Sequence, residues 1–150
     1  MGERPTDREW LTAATALSRK CPPSPTAFSV GAVIVTADDT ELATGFSRER
    51  DPDEHAEEAA LRKVDPADSR LAGATVYSSM EPCSVRRSRP LPCADLIVAA
   101  GIRRVVYALR EPVLFVDGAG DERLRSAGVE VVEISDLADA VREVNAHLLR

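Results

Sequence analysis

The sequence predicts an α/β domain: one layered sheet with helices covering both faces. Three observations carry this. Short apolar runs that read as strands alternate with amphipathic stretches that read as helices. The first two strands are separated by a short turn, so the alternation opens on a hairpin. The 150 residues, 44% hydrophobic and 29% charged, suit a single globular domain, 1–150, with a sizeable core.

The elements follow in order. Thr6 stands where it would cap a helix whose first turn holds Asp7 and Glu9, with Trp10, Leu11, Ala14 and Leu17 on one face. That helix is expected to end near Lys20, because Cys21-Pro22-Pro23-Ser24-Pro25 cannot continue it. Residues 30–35 form a continuous apolar run, 37–40 a turn and 41–46 a second strand. A polar loop over 47–53 leads to a helix over 54–63 with Ala56, Ala59, Ala60 and Val64 inward. Residues 75–78 are a short strand broken by Glu81-Pro82. Next comes an alanine-rich helix over 93–100 closed by Gly101, then a strand over 104–108 carrying β-branched Val105 and Val106. A helix over 120–127 ending at Gly128, a fifth strand over 129–134 and a final amphipathic helix over 136–149 complete the chain. The hairpin is expected as an antiparallel edge and the strand at Val105 as the centre of the sheet.

A formal charge of −6 and a pI near 5.0 disfavour nucleic-acid binding, which needs a basic face against phosphates. A small-molecule partner is expected instead. No apolar run follows the charged N-terminus, so no signal peptide is expected. Stretches such as 96–100 are too short to span a bilayer, so no membrane partner is expected and the location is read as cytoplasmic. Three cysteines in a reducing compartment are better used for metal binding or catalysis than for a disulfide framework.

Three segments fall where α/β proteins build sites, at the carboxyl ends of strands and the starts of helices. They are His55-Ala56-Glu57, Glu81-Pro82-Cys83 and Cys93. One imidazole and two thiolates, His55, Cys83 and Cys93, form a nitrogen and sulfur set for Zn²⁺. Three protein ligands leave the fourth tetrahedral position open for a water, whose pKa zinc lowers to about 7. Helix N-termini favour the thiolate forms. In the first turn of its helix Glu57 can face that open position and move the protons. Alone, His55 and Glu57 would read as a solvated helix start in an acidic stretch; with Pro82-Cys83 and Cys93 in register they read as a site. Cys21 reads as a packed or half-exposed thiol, or else as a fourth ligand, and His147 as a surface residue of the last helix.

Zinc deaminases of nucleobases carry H-x-E followed by P-C-x-x-C, in which the glutamate carries protons and is not a ligand. This chain has the first motif and a stretched second one: nine residues, 84–92, separate its cysteines. Closing such a loop onto one ion costs little additional entropy. The block Glu81-Pro82-Cys83-Ser84 … Arg89-Pro90-Leu91-Pro92-Cys93, with residues 96–106, 30–35 and 118–131 in order, resembles the deaminase domain of the riboflavin-biosynthesis deaminases. That branch belongs to the cytidine and deoxycytidylate deaminase-like superfamily. The resemblance spans nearly the whole chain. It implies a three-layer αβα sandwich with a five-stranded mixed sheet, a homodimer or homotetramer, and hydrolytic replacement of a ring amino group by oxygen with release of ammonia. In the riboflavin branch the substrate is a diaminopyrimidinone ribosylamine phosphate.

The chain departs from that branch at Ala27-Phe28-Ser29, where Asn-Pro-Asn is usual, and at Val85 and Arg48, where histidines are usual. These departures leave the zinc chemistry in place and set the pocket apart from that of the riboflavin branch. The candidate substrate contacts are Phe28, Ser29, Arg48, Ala56, Arg86 and Arg89. Phe28 precedes the first strand near where a base would lie, although such aromatics are more often core. Arg86, Arg87 and Arg89 overhang the site and suit phosphate, or else are solvent-facing loop charges. The expected function is a zinc-dependent aminohydrolase of a pyrimidine nucleoside, nucleotide or riboflavin-type aminopyrimidine phosphate. The alternatives are deamination of a purine base or a specialised-metabolite aminopyrimidine, and a non-catalytic zinc module closed by Cys21.

Overall fold

All five residues of β1 (Gly31–Val35) are buried, and they divide between two cores. Ala32 and Ile34 join one apolar cluster, Val33 and Val35 the other. Side chains alternate across a strand, so a strand buried at every position must be covered on both faces.

The computed structural model describes residues 2–84, 90–110 and 120–149. It contains α1 (Asp7–Ser18), β1, β2 (Glu41–Phe46), α2 (Ala56–Arg62), β3 (Thr75–Met80), α3 (Cys93–Ala99), β4 (Arg104–Leu109), α4 (Gly120–Ser126), β5 (Glu130–Glu133) and α5 (Ala138–Val144). The sheet runs β2-β1-β3-β4-β5. β1 pairs antiparallel with β2 and with β3, whereas β3–β4 and β4–β5 are parallel. One core joins Ile34, Val76, Val105 and Tyr107 of the sheet to Ala60, Ile97 and Leu124 of α2, α3 and α4. The other joins Val33, Tyr77, Val106 and Val132 to Leu11 and Ala14 of α1 and Val141 of α5. The result is the three-layer αβα sandwich. Among the described residues no helix is long and apolar enough to cross a membrane.

Three expectations are corrected. Thr6 does not cap α1 with its side chain; its hydroxyl donates to Asp39 Oδ1 at 2.9 Å. Asp7 accepts from the Arg4 N–H at 2.6 Å instead. The strand at Val105, β4, is interior, but the middle strand is β3, with two strands on either side. The last helix is not continuous: α5 ends at Val144, and a 3₁₀ turn, Ala146–Leu148, follows Asn145. Asn145 is fully buried and turned to a distant backbone partner, as described below.

Helix α2 lies almost directly on the edge of the sheet. A Cβ at Gly45 of β2 would stand 2.4 Å from Ala56 O and 2.5 Å from Ala60 N, so only glycine admits this approach. Ala56, Ala59 and Ala60 face the same contact, fully buried.

Candidate active site

The carboxyl end of β3 and the starts of two helices converge. After Met80 the chain continues alongside β4 for one more residue, with Glu81 N–H donating to Leu109 O at 2.8 Å, then turns at Pro82-Cys83. Cys93 opens α3, and its N–H donates to Cys83 Sγ at 3.2 Å, while Ala94 N–H donates to Cys83 O at 3.0 Å. These two bonds hold the start of α3 against Cys83. Glu81 is fixed in turn by Asp121 N–H, which donates to Glu81 Oε2 at 2.7 Å.

His55 is the N-cap of α2, with an extended backbone (φ −91°, ψ 160°). This conformation answers the spacing problem of His55-x-Glu57: His55 stands outside the helix and Glu57 inside its first turn, so the two are not held 200° apart around one axis. Glu58 Oε1 accepts from the His55 N–H at 3.3 Å and holds the cap. The preceding Glu54 is buried and accepts from Arg50 N–H at 2.9 Å and from Arg62 Nε at 3.0 Å, anchoring the entry loop to α2.

His55 Nδ1 lies 3.6 Å from Cys83 Sγ and 3.3 Å from Cys93 Sγ. The three ligand atoms all lie within 4.8 Å of one another. Donors at 2.0–2.3 Å from a tetrahedral ion stand roughly 3.5 Å apart, so this set fits zinc in spacing as well as in donor chemistry. The electrostatics agree. The hydrogen bond from Cys93, with help from His55 and the Cys93 N–H, draws the Cys83 thiol down to about 4 against the opposing effect of burial. Cys93, sharing its proton with Cys83 and buried, is pushed far up. A buried thiolate between a thiol and an imidazole calls for a cation.

Glu57 is 4% exposed. Burial, and then the negative charge of Cys83, push its carboxyl above the usual carboxylate range. Its oxygen Oε1 lies 3.0 Å from the Ser78 hydroxyl, which is 2.7 Å from Met80 O. The Ser78 hydroxyl donates to this carboxyl and opposes part of the upward push.

A cavity of about 270 Å³ opens over these groups. Phe28, Arg48 and Ala56 line it together with His55, Glu57 and Cys83. Ser29 does not line it. Its hydroxyl accepts from Arg48 Nη2 at 2.9 Å, and it borders a second cavity with Cys21 and His147. Arg86 and Arg89 lie outside the described residues. Cys21 does not join the metal-competent cluster; its thiol faces Val30 O at 3.5 Å, so the closed four-residue site is not formed. His147 is exposed, with Nε2 2.9 Å from Ser24 O. Sequence reasoning missed Ser78, Glu54 and Asn145. The signal for Ser78 was available: it is a hydroxyl at the centre of a strand whose six residues are all buried.

A mixed αβα sheet that brings one histidine and two cysteines together at helix starts, beside a buried glutamate, defines a zinc-binding domain. Residues 4–109 match the cytidine and deoxycytidylate deaminase zinc-binding region, and the chain belongs to that family. It is 43% identical over 139 residues to a diaminohydroxyphosphoribosylamino-pyrimidine deaminase of Schizosaccharomyces pombe, covering 90% of this chain and 34% of that protein. It is similar to the crystal structure of a Thermotoga maritima diaminohydroxyphosphoribosylaminopyrimidine deaminase/5-amino-6-(5-phosphoribosylamino)uracil reductase (TM-score 0.77, 33% identity, 93% of this chain and 39% of that one). It is also similar to the Rib2 deaminase of Aspergillus oryzae (TM-score 0.79, 28% identity, 92% and 89%). The chain spans about a third of the length of the curated relatives it matches first.

Proposed function

We propose that the chain is a zinc-dependent hydrolytic deaminase of an aminopyrimidine of the riboflavin-pathway type, releasing ammonia. One observation carries this reading: a buried carboxyl with a raised pKa stands in the same pocket as a His/Cys/Cys set spaced for zinc. Its relatives, named as deaminases of a phosphoribosylaminopyrimidine, support the substrate class.

Zinc held by His55, Cys83 and Cys93 would supply a Lewis acid at the pocket floor. The residues do the rest. Glu57 takes a proton from the attacking water and delivers it to the departing nitrogen, a task for which a carboxyl poised above its ordinary pKa is suited. Ser78 holds that carboxyl in place. Phe28 offers an apolar wall to a flat ring. The homodimer or homotetramer expected from the sequence is read by light scattering.

The test is Glu57→Gln. Zinc content and thermal midpoint are expected to stay unchanged, and ammonia release to fall by about 10²–10⁴-fold. The assay runs over the riboflavin-pathway aminopyrimidine phosphate, dCMP, cytidine and guanine. Full activity in the variant, or ammonia from guanine alone, would refute the reading.

A further inference from the structure

The segment 22–29 supplies one wall of the site cavity and borders a second cavity as well. Thr26, Ala27 and Phe28 face the site cavity. Pro23, Ser24, Pro25 and Ser29 border the second cavity, of about 630 Å³. Phe28 rests partly on the core of Leu11, Val33 and Tyr77, but residues 22–27 join neither core, so the rest of the wall takes its position from whatever fastens it.

The fasteners are polar. Arg48 donates Nε to Pro22 O at 3.1 Å, Nη2 to the same oxygen at 2.7 Å, Nη1 to Phe28 O at 3.0 Å and Nη2 to Ser29 Oγ at 2.9 Å. Four of the five guanidinium N–H groups are thus spent on the two ends of this segment. The backbone at Arg48 is left-handed (φ 59°), a conformation that L side chains seldom adopt, and its N–H donates to Glu54 O at 2.7 Å. From the other side Asn145, fully buried, accepts from Ser29 N–H at 2.7 Å and donates to Ser29 O at 3.0 Å.

We propose that Arg48 is a positioning residue that sets the substrate wall. Its planar fork fastens both ends of the segment 22–29 and so holds Phe28 at a fixed distance from Glu57 and the metal ligands. Selectivity in this chain then rests on a wall built from its own backbone, and Arg48 acts on the substrate through that wall rather than by binding it. This rests on the deaminase reading for its kinetic arm only.

The test uses Arg48→Gly, which keeps the left-handed backbone at no steric cost and removes only the clamp, with Arg48→Lys beside it. Hydrogen exchange, which needs no substrate, is expected to quicken about tenfold or more at the amides of 28–30 and to stay unchanged across α2. In steady-state assays KM is expected to rise about tenfold for phosphorylated and unphosphorylated substrates alike, with kcat within about threefold of wild type. Lysine, a point donor that cannot span the two ends, is expected to restore less than half of either effect. Unchanged exchange overturns the proposal, even if the chain deaminates nothing. So does a KM change confined to phosphorylated substrates and mimicked by competing inorganic phosphate, or full recovery with lysine.

Discussion

The sheet buries a carboxyl group near each end of its parallel strands, and the two fare in opposite ways. At the amino end of β4, Asp7 receives both arms of Arg104, at 2.9 and 2.6 Å, and the Tyr77 hydroxyl at 2.6 Å. Burial pushes the Asp7 carboxyl up, but Arg104, Tyr77 and the Arg4 N–H outweigh it and hold it below its ordinary 3.8. At the other end burial and then the negative charge of Cys83 push the Glu57 carboxyl up, and His55, Cys93 and Ser78 only partly oppose them. Burial is common to both, and the partners decide the sign. The first carboxylate is satisfied and holds α1 against the sheet. The second has no cationic side-chain partner of that kind, and its raised pKa suits proton transfer.

The comparison breaks most sharply at Arg104. Arg104→Met leaves Asp7 buried without its counter-ion, with only the Tyr77 hydroxyl and the Arg4 N–H, and denaturant unfolding should show a loss of about 3–5 kcal/mol. The double variant Asp7→Leu, Arg104→Met should regain most of it. A single-variant cost below about 1 kcal/mol would mean that the pair does not hold α1. Titration gives a smaller effect. Because the folded pKa of Asp7 is depressed, its contribution is complete above about pH 5 and fades as pH falls through 3.8 and below. Wild type should therefore lose its stability advantage over Asp7→Asn as pH drops from 5 to 3; a constant gap would contradict the assignment. The smallest effect is expected at Ser78. Ser78→Ala removes one neutral partner from Glu57, worth about 0.5–1.5 kcal/mol, so kcat should fall severalfold with zinc content unchanged. A kcat equal to wild type would show that Glu57 holds its place without it.

Much of this was legible in the sequence because the relevant signals are local. The alternation of elements fixes the sandwich, and a histidine, a glutamate two residues on and two cysteines beside prolines point to one site by their chemistry. What was not legible depends on long-range pairs. Thr6 looks like a cap, but the helix start is organised by Asp7, whose partner Arg104 is 97 residues away. The closing amphipathic pattern reads as one helix, yet Asn145 ends it to reach Ser29, 116 residues distant. Arg48 reads as a substrate contact because of where it falls, and only the folded chain shows its guanidinium committed to carbonyl oxygens of its own backbone. Ser29 reads as a substrate contact beside Phe28, but its backbone is held by Asn145 and its hydroxyl by Arg48, away from the site cavity.

The flush contact of α2 on β2 separates two kinds of inheritance in this molecule. Where Gly45 meets Ala56 and Ala60, the position of His55 is dictated by main chain against main chain, with almost no side chain able to drift between them. The wall of the cleft from 22 to 29 is tied by replaceable side-chain knots. Substitution along 22–29 can therefore reshape the cavity while the floor that carries His55 stays where it is.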